Sequence, residues 1–400
     1  MADMRERLDN FCCGLDTLAV FRSLLEDNAI RTLRELLREA AEDNRFNTGK
    51  YSEFVSYLYP DSADFSRYLL NAVLDDENFY IKGMAEGREF DSCIEEAVCN
   101  ELSFLQELSR LTPAEASYGY YRIYPLPQWK NSEIDFVSEY RKRIQDIDRF
   151  GYGKFARNKM FILRDGEIIT VRYPDKQRLS ELYGYETERN AVISNTLALL
   201  DGKPAQNVLL YGDAGTGKSS TVKAIVNEFA DRGLRLIEIT KEQLRNIPEI
   251  IESIGRNPLK FIIFIDDLTF TSGEDCFGAL KAALEGSVSA RNSNTVIYAT
   301  SNRRHLVKES FSDRNGDDIH RNDSMQETLS LSARFGLRVN FSRPDKNTYI
   351  AIARKLAGSS GIAIPDDELA LRAEQFAIQG SGRSPRTARQ FVNQLKTENL

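Results

Sequence analysis

Apolar residues over the first 110 positions fall at helical spacing. Leu15, Leu18, Phe21, Leu24 and Leu25 form one series, and Ile30, Leu33, Leu36, Leu37 and Ala40 the next, each the buried stripe of an amphipathic helix. Ile94, Val98, Leu102 and Leu105 make a third, with Ser92 placed to cap its start. Such stripes are ordinary core before they are partner-binding faces. Between Leu111 and Trp129 the pattern breaks, and Tyr118, Tyr120, Tyr121 and Tyr124 crowd ahead of Pro125 and Pro127. Tyrosines at that density can stack on nucleobases, but packing against the following domain explains them more simply. A charged helix is expected from about Ser132 to Arg149.

Gly151 to Gly153 reads as a break. Lys159–Arg164 and Glu167–Tyr173 then flank Asp165-Gly166, a strong short signal for a β-hairpin, which Pro174 closes. From about Gln177 short apolar runs alternate with helix-length segments: Val208–Tyr211, Leu234–Ile239, Phe261–Ile265 and Thr295–Ala299. That alternation predicts βαβ units and a parallel sheet covered on both faces. After Pro344 the chain reads as helical to its end. The expected organisation is a helical domain over residues 1–150, a hairpin and linker over 151–180, an αβα domain over 181–343 and a helical lid over 344–400.

Composition narrows the class. The 400 residues are 42% hydrophobic and 28% charged, which excludes a mainly disordered, collagen-like or disulfide-dense chain. A formal charge of −7 argues against wholesale coating of nucleic acid or anionic membrane. The five cysteines are scattered and there are only two histidines, so no zinc pattern forms, and the odd thiol count fits a reducing compartment. The first residues lack the apolar core of a signal peptide and no apolar run reaches membrane-spanning length. The expectation is a soluble, cytoplasmic protein.

The strongest chemical signal is Gly212-Asp213-Ala214-Gly215-Thr216-Gly217-Lys218-Ser219, followed by Ser220. It fills the eight-position phosphate-loop pattern after a predicted strand and before a predicted helix. The glycines let backbone N–H groups turn inward, and the helix amino terminus adds partial positive charge beneath the phosphates. Lys218 is placed to reach the β- and γ-phosphates and Ser219 to hold Mg²⁺. A plain glycine turn between strand and helix gives no reason for Lys and Ser in those places.

A second element, the apolar run Phe261–Ile265, ends in Asp266-Asp267, 48 residues after Lys218. It delivers two carboxylates to the carboxyl edge of the sheet, where ligands gather. Asp266 suits Mg²⁺, and Asp267 can orient and deprotonate an attacking water. A third run, Thr295–Ala299, ends in Thr300-Ser301-Asn302, and Asn302 is the candidate to touch the γ-phosphate or align the water. Arg303, Arg304 and His305 make a basic corner, either solvated or facing a neighbouring subunit or nucleic acid. Arg334, ahead of the run Leu337–Phe341, and Arg386, behind Pro385, are further candidates, since arginine donates to phosphate in a planar fork and keeps its charge.

In this order the motifs resemble the AAA+ ATPase superfamily. More narrowly, the chain is similar to a bacterial family of predicted AAA+ ATPases, through Leu182–Glu186, Asn207–Ser220, Gly233–Thr240, Ile263–Leu268, Leu280–Gly286, Tyr298–His305 and Ser330–Gly336. The Asp-Asp ending and the Ser-x-Arg-Phe element also resemble the replication initiator and helicase-loader branch. The resemblance covers about residues 150–400 and implies an α/β fold: an αβα parallel-sheet domain and a helical lid, with ATP and Mg²⁺ at their junction. It implies that Tyr183, Gly184 and Tyr185 lie beside adenine, that Asn302 and Arg386 are the two phosphate sensors, and that Arg334 is a finger entering a neighbouring subunit's site. That last role requires a homo-oligomer formed through the nucleotide sites. Two residues depart from the pattern. Asp267 stands where most such motors have Glu, which implies slow hydrolysis, and Ala333 replaces an Asp expected before the finger.

Two functions of different class remain open at this point. One is an ATP-hydrolysing remodeller of a protein or nucleic-acid client. The other is a nucleotide-controlled assembly, loader or scaffold module in which turnover only resets the state. A small-molecule kinase is a weaker third reading, because no acceptor site is evident. The client is not legible, since the N-terminal region carries neither a zinc pattern nor a basic recognition helix.

Overall fold

The computed structural model describes residues 2–42, 46–120, 124–271, 276–285, 294–302, 307–308, 333–380 and 382–398. Contacts divide the chain into two compact units, one of residues 1–157 with 256–258, the other of 158–255 with 259–400.

The first unit is helical. Its helices include Asn28–Glu42, Thr48–Leu58, Phe65–Asp75 and Ser92–Leu108, and the stripes seen in the sequence are buried: Leu15, Leu33, Leu36 and Leu105 have no exposed surface. Trp129 fills the core, with ring centroids 5.2 Å from Phe54 and 5.5 Å from Tyr51, and donates its indole N–H to the Leu111 carbonyl at 2.9 Å. The Glu101 carboxylate accepts from the N–H groups of Ala19, Val20 and Phe21, filling the anion-binding nest of that turn from within the chain.

Three local expectations change here. Asp91, not Ser92, is the N-cap residue of Ser92–Leu108, because Ser92 has already joined the first turn. The charged helix starts at Phe136 rather than Ser132 and gives way at Asp146 to a short turn, Ile147–Phe150. The reason is tertiary. Asn131 donates to the Ser109 and Leu111 carbonyls and the Ser132 N–H to the Ser66 hydroxyl, which holds these residues extended until Asp135 caps the helix through the Ser138 N–H. Two of the tyrosines pack within the helical unit: Tyr118 lies against its core, and Tyr120 rests on Phe46 at 5.1 Å. Tyr124 is 80% exposed, and Tyr121 lies outside the described residues.

The second unit is built on strands. Among the described residues these are β1 (Met160–Arg164), β2 (Glu167–Thr170), β3 (Val208–Gly212), β4 (Leu234–Ile239), β5 (Lys260–Ile265), β6 (Phe270–Thr271), β7 (Thr295–Ser301), β8 (Val307–Lys308) and β9 (Leu337–Phe341). Seven form one sheet in the order β2-β1-β4-β5-β7-β3-β9, and β6 pairs with β8 separately. Only the β1–β2 pair of the large sheet is antiparallel. Its turn is the one Asp165-Gly166 announces, with φ of +51° and +81°, the left-handed pair a two-residue hairpin requires. Beyond the hairpin, β1 joins β4 in parallel, Phe161 opposite Ile237.

The central strand β5 is apolar on both faces, and Phe261 through Ile265 have no exposed surface. Helices cover both faces of a parallel sheet, so no polar alternation is needed. Within β4-β5-β7-β3-β9 the first strand in the chain, β3, lies between the last two, β7 and β9. The chain thus winds both ways from β3, and a ligand crevice is expected at the carboxyl ends beside it. Three helices, Lys346–Ser359, Asp366–Gln379 and Pro385–Glu398, form the lid around Tyr349, Ile352, Leu369, Phe391 and Leu395. Asp345 caps the first by accepting from the Thr348 N–H at 2.7 Å. This is the α/β fold with a helical lid that the motifs imply. No helix among the described residues is long and apolar enough to cross a membrane.

Candidate functional site

The loop from Gly212 to Gly217 leaves the end of β3 and opens the helix Lys218–Phe229. Gly212 has φ of +129°, and a Cβ there would lie 2.3 Å from the Phe341 carbonyl oxygen of β9, so only glycine fits. Gly217 occupies the N-cap at φ +95°, turning the chain so that the first helical N–H groups face the loop. Thr216, buried, donates its hydroxyl to the Asp213 carbonyl at 2.8 Å and staples the loop. Ala214 is exposed at its crest.

Lys218 turns back under this loop. Its Nζ donates to the Gly212 carbonyl at 3.0 Å, the Asp213 carbonyl at 2.7 Å and Asn302 Oδ1 at 3.0 Å. Burial lowers its pKa, opposed by the charges of Asp213, Asp267 and Asp266 and reinforced by that of Arg386. Asn302 in turn donates Nδ2 to Asp267 Oδ1 at 2.8 Å. Ser219 Oγ donates to Asp266 Oδ1 at 2.6 Å. The ends of β5 and β7 and the start of one helix therefore bring Lys218, Asn302 and Asp267 into one hydrogen-bonded chain at the carboxyl edge, with the Ser219–Asp266 pair beside it.

The lid touches the loop directly. The Arg386 N–H donates to the Gly215 carbonyl at 3.2 Å, at the start of the helix Pro385–Glu398. Behind it, Arg389 donates both terminal N–H groups to the Gln177 carboxamide, whose N–H donates to Ser220 Oγ at 3.2 Å, with the amide oriented by its partners. Tyr183, Gly184 and Tyr185 lie between lid and sheet. The Tyr183 ring packs on the lid core with Lys355 Nζ 5.8 Å from its centroid, Gly184 abuts Ile352, and the Tyr185 ring stacks on Phe341 at 5.3 Å while donating its hydroxyl to the Ser342 carbonyl. Tyr185 takes a left-handed conformation, φ +59°, and buried Arg189 donates to the Gly184 carbonyl.

Arg334 stands apart from this edge. It lies just ahead of β9, whose Leu337 is opposite Val208 at the amino end of β3, while Phe341 is opposite Gly212 at the loop. The separation along β9 alone is roughly 13 Å, four steps of about 3.3 Å. Arg303, Arg304 and His305 lie outside the described residues.

Sequence reasoning passed over four residues that shape the site. Arg343 donates its N–H to Asp213 Oδ2 at 2.9 Å, and its guanidinium lies 3.4 Å from Oδ1, so the acid in the phosphate loop is balanced from the end of β9. Gln177 and Arg389 link the lid to the loop's helix as above. Thr300, buried in β7, donates to Asp266 Oδ1 at 2.5 Å and accepts from the Asp267 N–H at 2.9 Å. Only Thr300 carried a usable signal, a hydroxyl two positions before Asn302 at a strand end.

A family model described as "Protein of unknown function (DUF815)" matches residues 156–399. The chain belongs to that family. Its sheet, glycine-rich loop and helical lid give this DUF815 protein the α/β architecture of the AAA+ fold that the motifs resemble, and its sequence is similar to replication initiators. It is 27% identical over 212 residues to the chromosomal replication initiator protein DnaA of Clavibacter sepedonicus, covering 48% of this chain and 40% of that one. It is 28% identical over 195 residues to DnaA of Bifidobacterium animalis subsp. lactis (strain AD011), covering 44% and 30%. The chain thus spans less than half the length of these relatives. Among solved structures, the Thermotoga maritima RuvB Holliday junction branch migration motor aligns with a TM-score of 0.36 at 15% identity, covering 55% of this chain and 64% of that chain.

Proposed function

We propose that this DUF815 protein binds ATP with Mg²⁺ and hydrolyses it, and that as a homo-oligomer it uses the cycle to remodel a protein or nucleic-acid client. The observation that carries the reading is the chain of contacts from Lys218 through Asn302 to Asp267, with Ser219 and Asp266 beside it. A lysine, an amide and two carboxylates converge where a phosphate loop meets the carboxyl edge of a sheet. The paired oxygens of Ser219 and Asp266 suit Mg²⁺, a hard cation that is usually held by one or two protein oxygens with waters and phosphates. When bound, it would neutralise charge on the transferring phosphoryl group.

In this reading the protein's own groups do the following. The loop N–H groups hold the phosphates, and Lys218 exchanges its carbonyl partners for phosphate oxygens. Asp267 accepts the proton of the attacking water, which Asn302 helps to align. Arg386 senses the nucleotide from the lid, and Tyr183, Gly184 and Tyr185 flank the adenine. Arg334, at the opposite edge of its own sheet, serves the site of a neighbouring subunit.

A second reading, in which ATP sets an assembly or loader state and turnover is a slow reset, is favoured by Asp267. Its side chain is one methylene shorter than the usual Glu and is held by Asn302. Measuring ATP turnover of the purified chain with Mg²⁺, alone and with single-stranded DNA, duplex DNA, RNA or an unfolded protein, separates the two. Stimulation by one polymer supports remodelling. Slow turnover that no polymer changes, together with ATP-dependent assembly, supports the switch. Absence of ATP binding would refute both.

A further inference from the structure

Thr300 is a polar residue inside the sheet, 2% exposed, and its hydroxyl joins the two acidic residues at the end of β5. It donates to Asp266 Oδ1 at 2.5 Å, the same oxygen that accepts from Ser219 at 2.6 Å. It accepts from the Asp267 N–H at 2.9 Å, while its own carbonyl accepts from the Leu268 N–H at 2.7 Å. Asp267 has φ of +52°, a left-handed conformation uncommon for a residue with a side chain. One hydroxyl therefore fixes the carboxylate of Asp266 and the backbone of Asp267 together.

We propose that Thr300 is a positioning residue for the metal and water chemistry of this site. It presents Asp266 to the divalent cation and holds the Asp267 peptide so that its carboxylate meets Asn302. The proposal rests on the nucleotide-hydrolysis reading above.

The residue type follows from the geometry. A hydroxyl is one donor and two acceptors, and both functions are used here, the donor for a carboxylate and an acceptor for an N–H. Valine has the same shape and neither function. Serine has both, but without the second branch on Cβ its torsion is less restricted. Thr300 is buried whereas Asp266 and Asp267 are exposed, so it orients the acids without competing with them for the cation. This is the role that outer hydrogen-bond partners play at metal sites, where their loss typically costs about 10–100-fold in metal affinity or activity.

A merely structural Thr300 predicts something different. Its loss would then lower the melting temperature and leave metal and nucleotide behaviour alone. The experiment compares the full-length wild type with Thr300→Val and Thr300→Ser. It measures affinity for a fluorescent ATP analogue in EDTA, the Mg²⁺ concentration that half-saturates the Mg²⁺-dependent gain in that affinity, and turnover. Thr300→Val should keep metal-free affinity within about twofold of wild type, while its Mg²⁺ half-saturation rises on the order of 10–100-fold and turnover falls. Thr300→Ser should restore most of both. If Thr300→Val melts below the assay temperature, Thr300→Ala carries the same expectation.

An unchanged Mg²⁺ half-saturation in a folded Val or Ala variant overturns the proposal, whatever the melting temperature, and leaves the functional reading standing. Failure of Thr300→Ser to recover Mg²⁺ response beyond the Val variant also overturns it. A wild type that binds no nucleotide with or without Mg²⁺ removes the functional reading itself and the proposal with it.

Discussion

Replacing Asp267 by asparagine tests the chemistry while leaving the architecture in place. Asp267 sits at φ +52°, a region that Asn and Asp enter more readily than other residues with side chains. The amide oxygen of asparagine can still accept from Asn302 Nδ2, now 2.8 Å from Asp267 Oδ1. Stability should therefore change by no more than about 0.5 kcal/mol, whereas Asp267→Ala should lose about 1–2 kcal/mol for a left-handed residue without a local polar side chain. Lys218 loses one of three carboxylates that favour its charge, with Asp213 and Asp266 remaining. ATP affinity should stay within about threefold, less than 1 kcal/mol. Turnover should fall on the order of 10²-fold or more, the usual contribution of a positioned general base. Equilibrium titration with a fluorescent ATP analogue and a steady-state phosphate-release assay on the same preparation give the two numbers. Equal losses in affinity and turnover, or unchanged turnover, would refute the base assignment.

Lys218→Ala should weaken ATP-analogue binding by on the order of 100-fold, since charge-assisted bonds to phosphate are lost. It should also lower the melting temperature by a few degrees, because the Gly212 and Asp213 carbonyls lose their donor; unaltered affinity in a folded variant would remove the phosphate-loop role. Mixing Lys218→Ala with Arg334→Ala subunits should restore turnover where an intact loop meets an intact finger, a contribution of about 10³-fold or more for such arginines. No recovery in demonstrably mixed oligomers would sink the trans role. In the helical unit, burial pushes the Asp75 carboxyl from its ordinary 3.8 up to about 6, against the pull of Arg157 and Arg143, and its buried Oδ1 has no hydrogen-bond partner among the described residues. The folded state then holds more protons than the unfolded chain between these two values, so the contribution of Asp75 to stability is fully present below about pH 3.8 and is lost as pH rises through about 6, by about 3 kcal/mol at most. Urea melts of wild type and Asp75→Asn at pH 4.5 and 7.5 check this, the variant losing most of that slope; a wild-type slope of opposite sign that Asp75→Asn removes would reject it.

The phosphate loop, the Asp-Asp ending and the asparagine after β7 were legible because each is a short motif tied to a strand end. A strand end is a place that periodicity locates and a parallel sheet shares among its members. The hairpin was legible for a similar reason, since Asp165 and Gly166 are residue types suited to two consecutive positive φ angles. Helix starts were less so. Phe136 rather than Ser132 begins its helix because Ser109, Leu111 and Ser66, distant in sequence, hold the preceding residues extended.

Local pattern thus determined the element types, the parallel character of the sheet and the identity of the chemical groups at its edge. Only the tertiary structure decided which groups meet. That Thr300 bridges Asp266 and Asp267, that Arg343 balances Asp213, and that Gln177 ties Arg389 to Ser220 depends on strand order and lid placement. The joining of β1 to β4, which carries the hairpin onto the sheet, depends on strand order in the same way. Hydrophobic periodicity is a property of a dozen neighbouring residues. A hydrogen bond across a sheet depends on which strands lie side by side, and that is settled by burying the whole core at once.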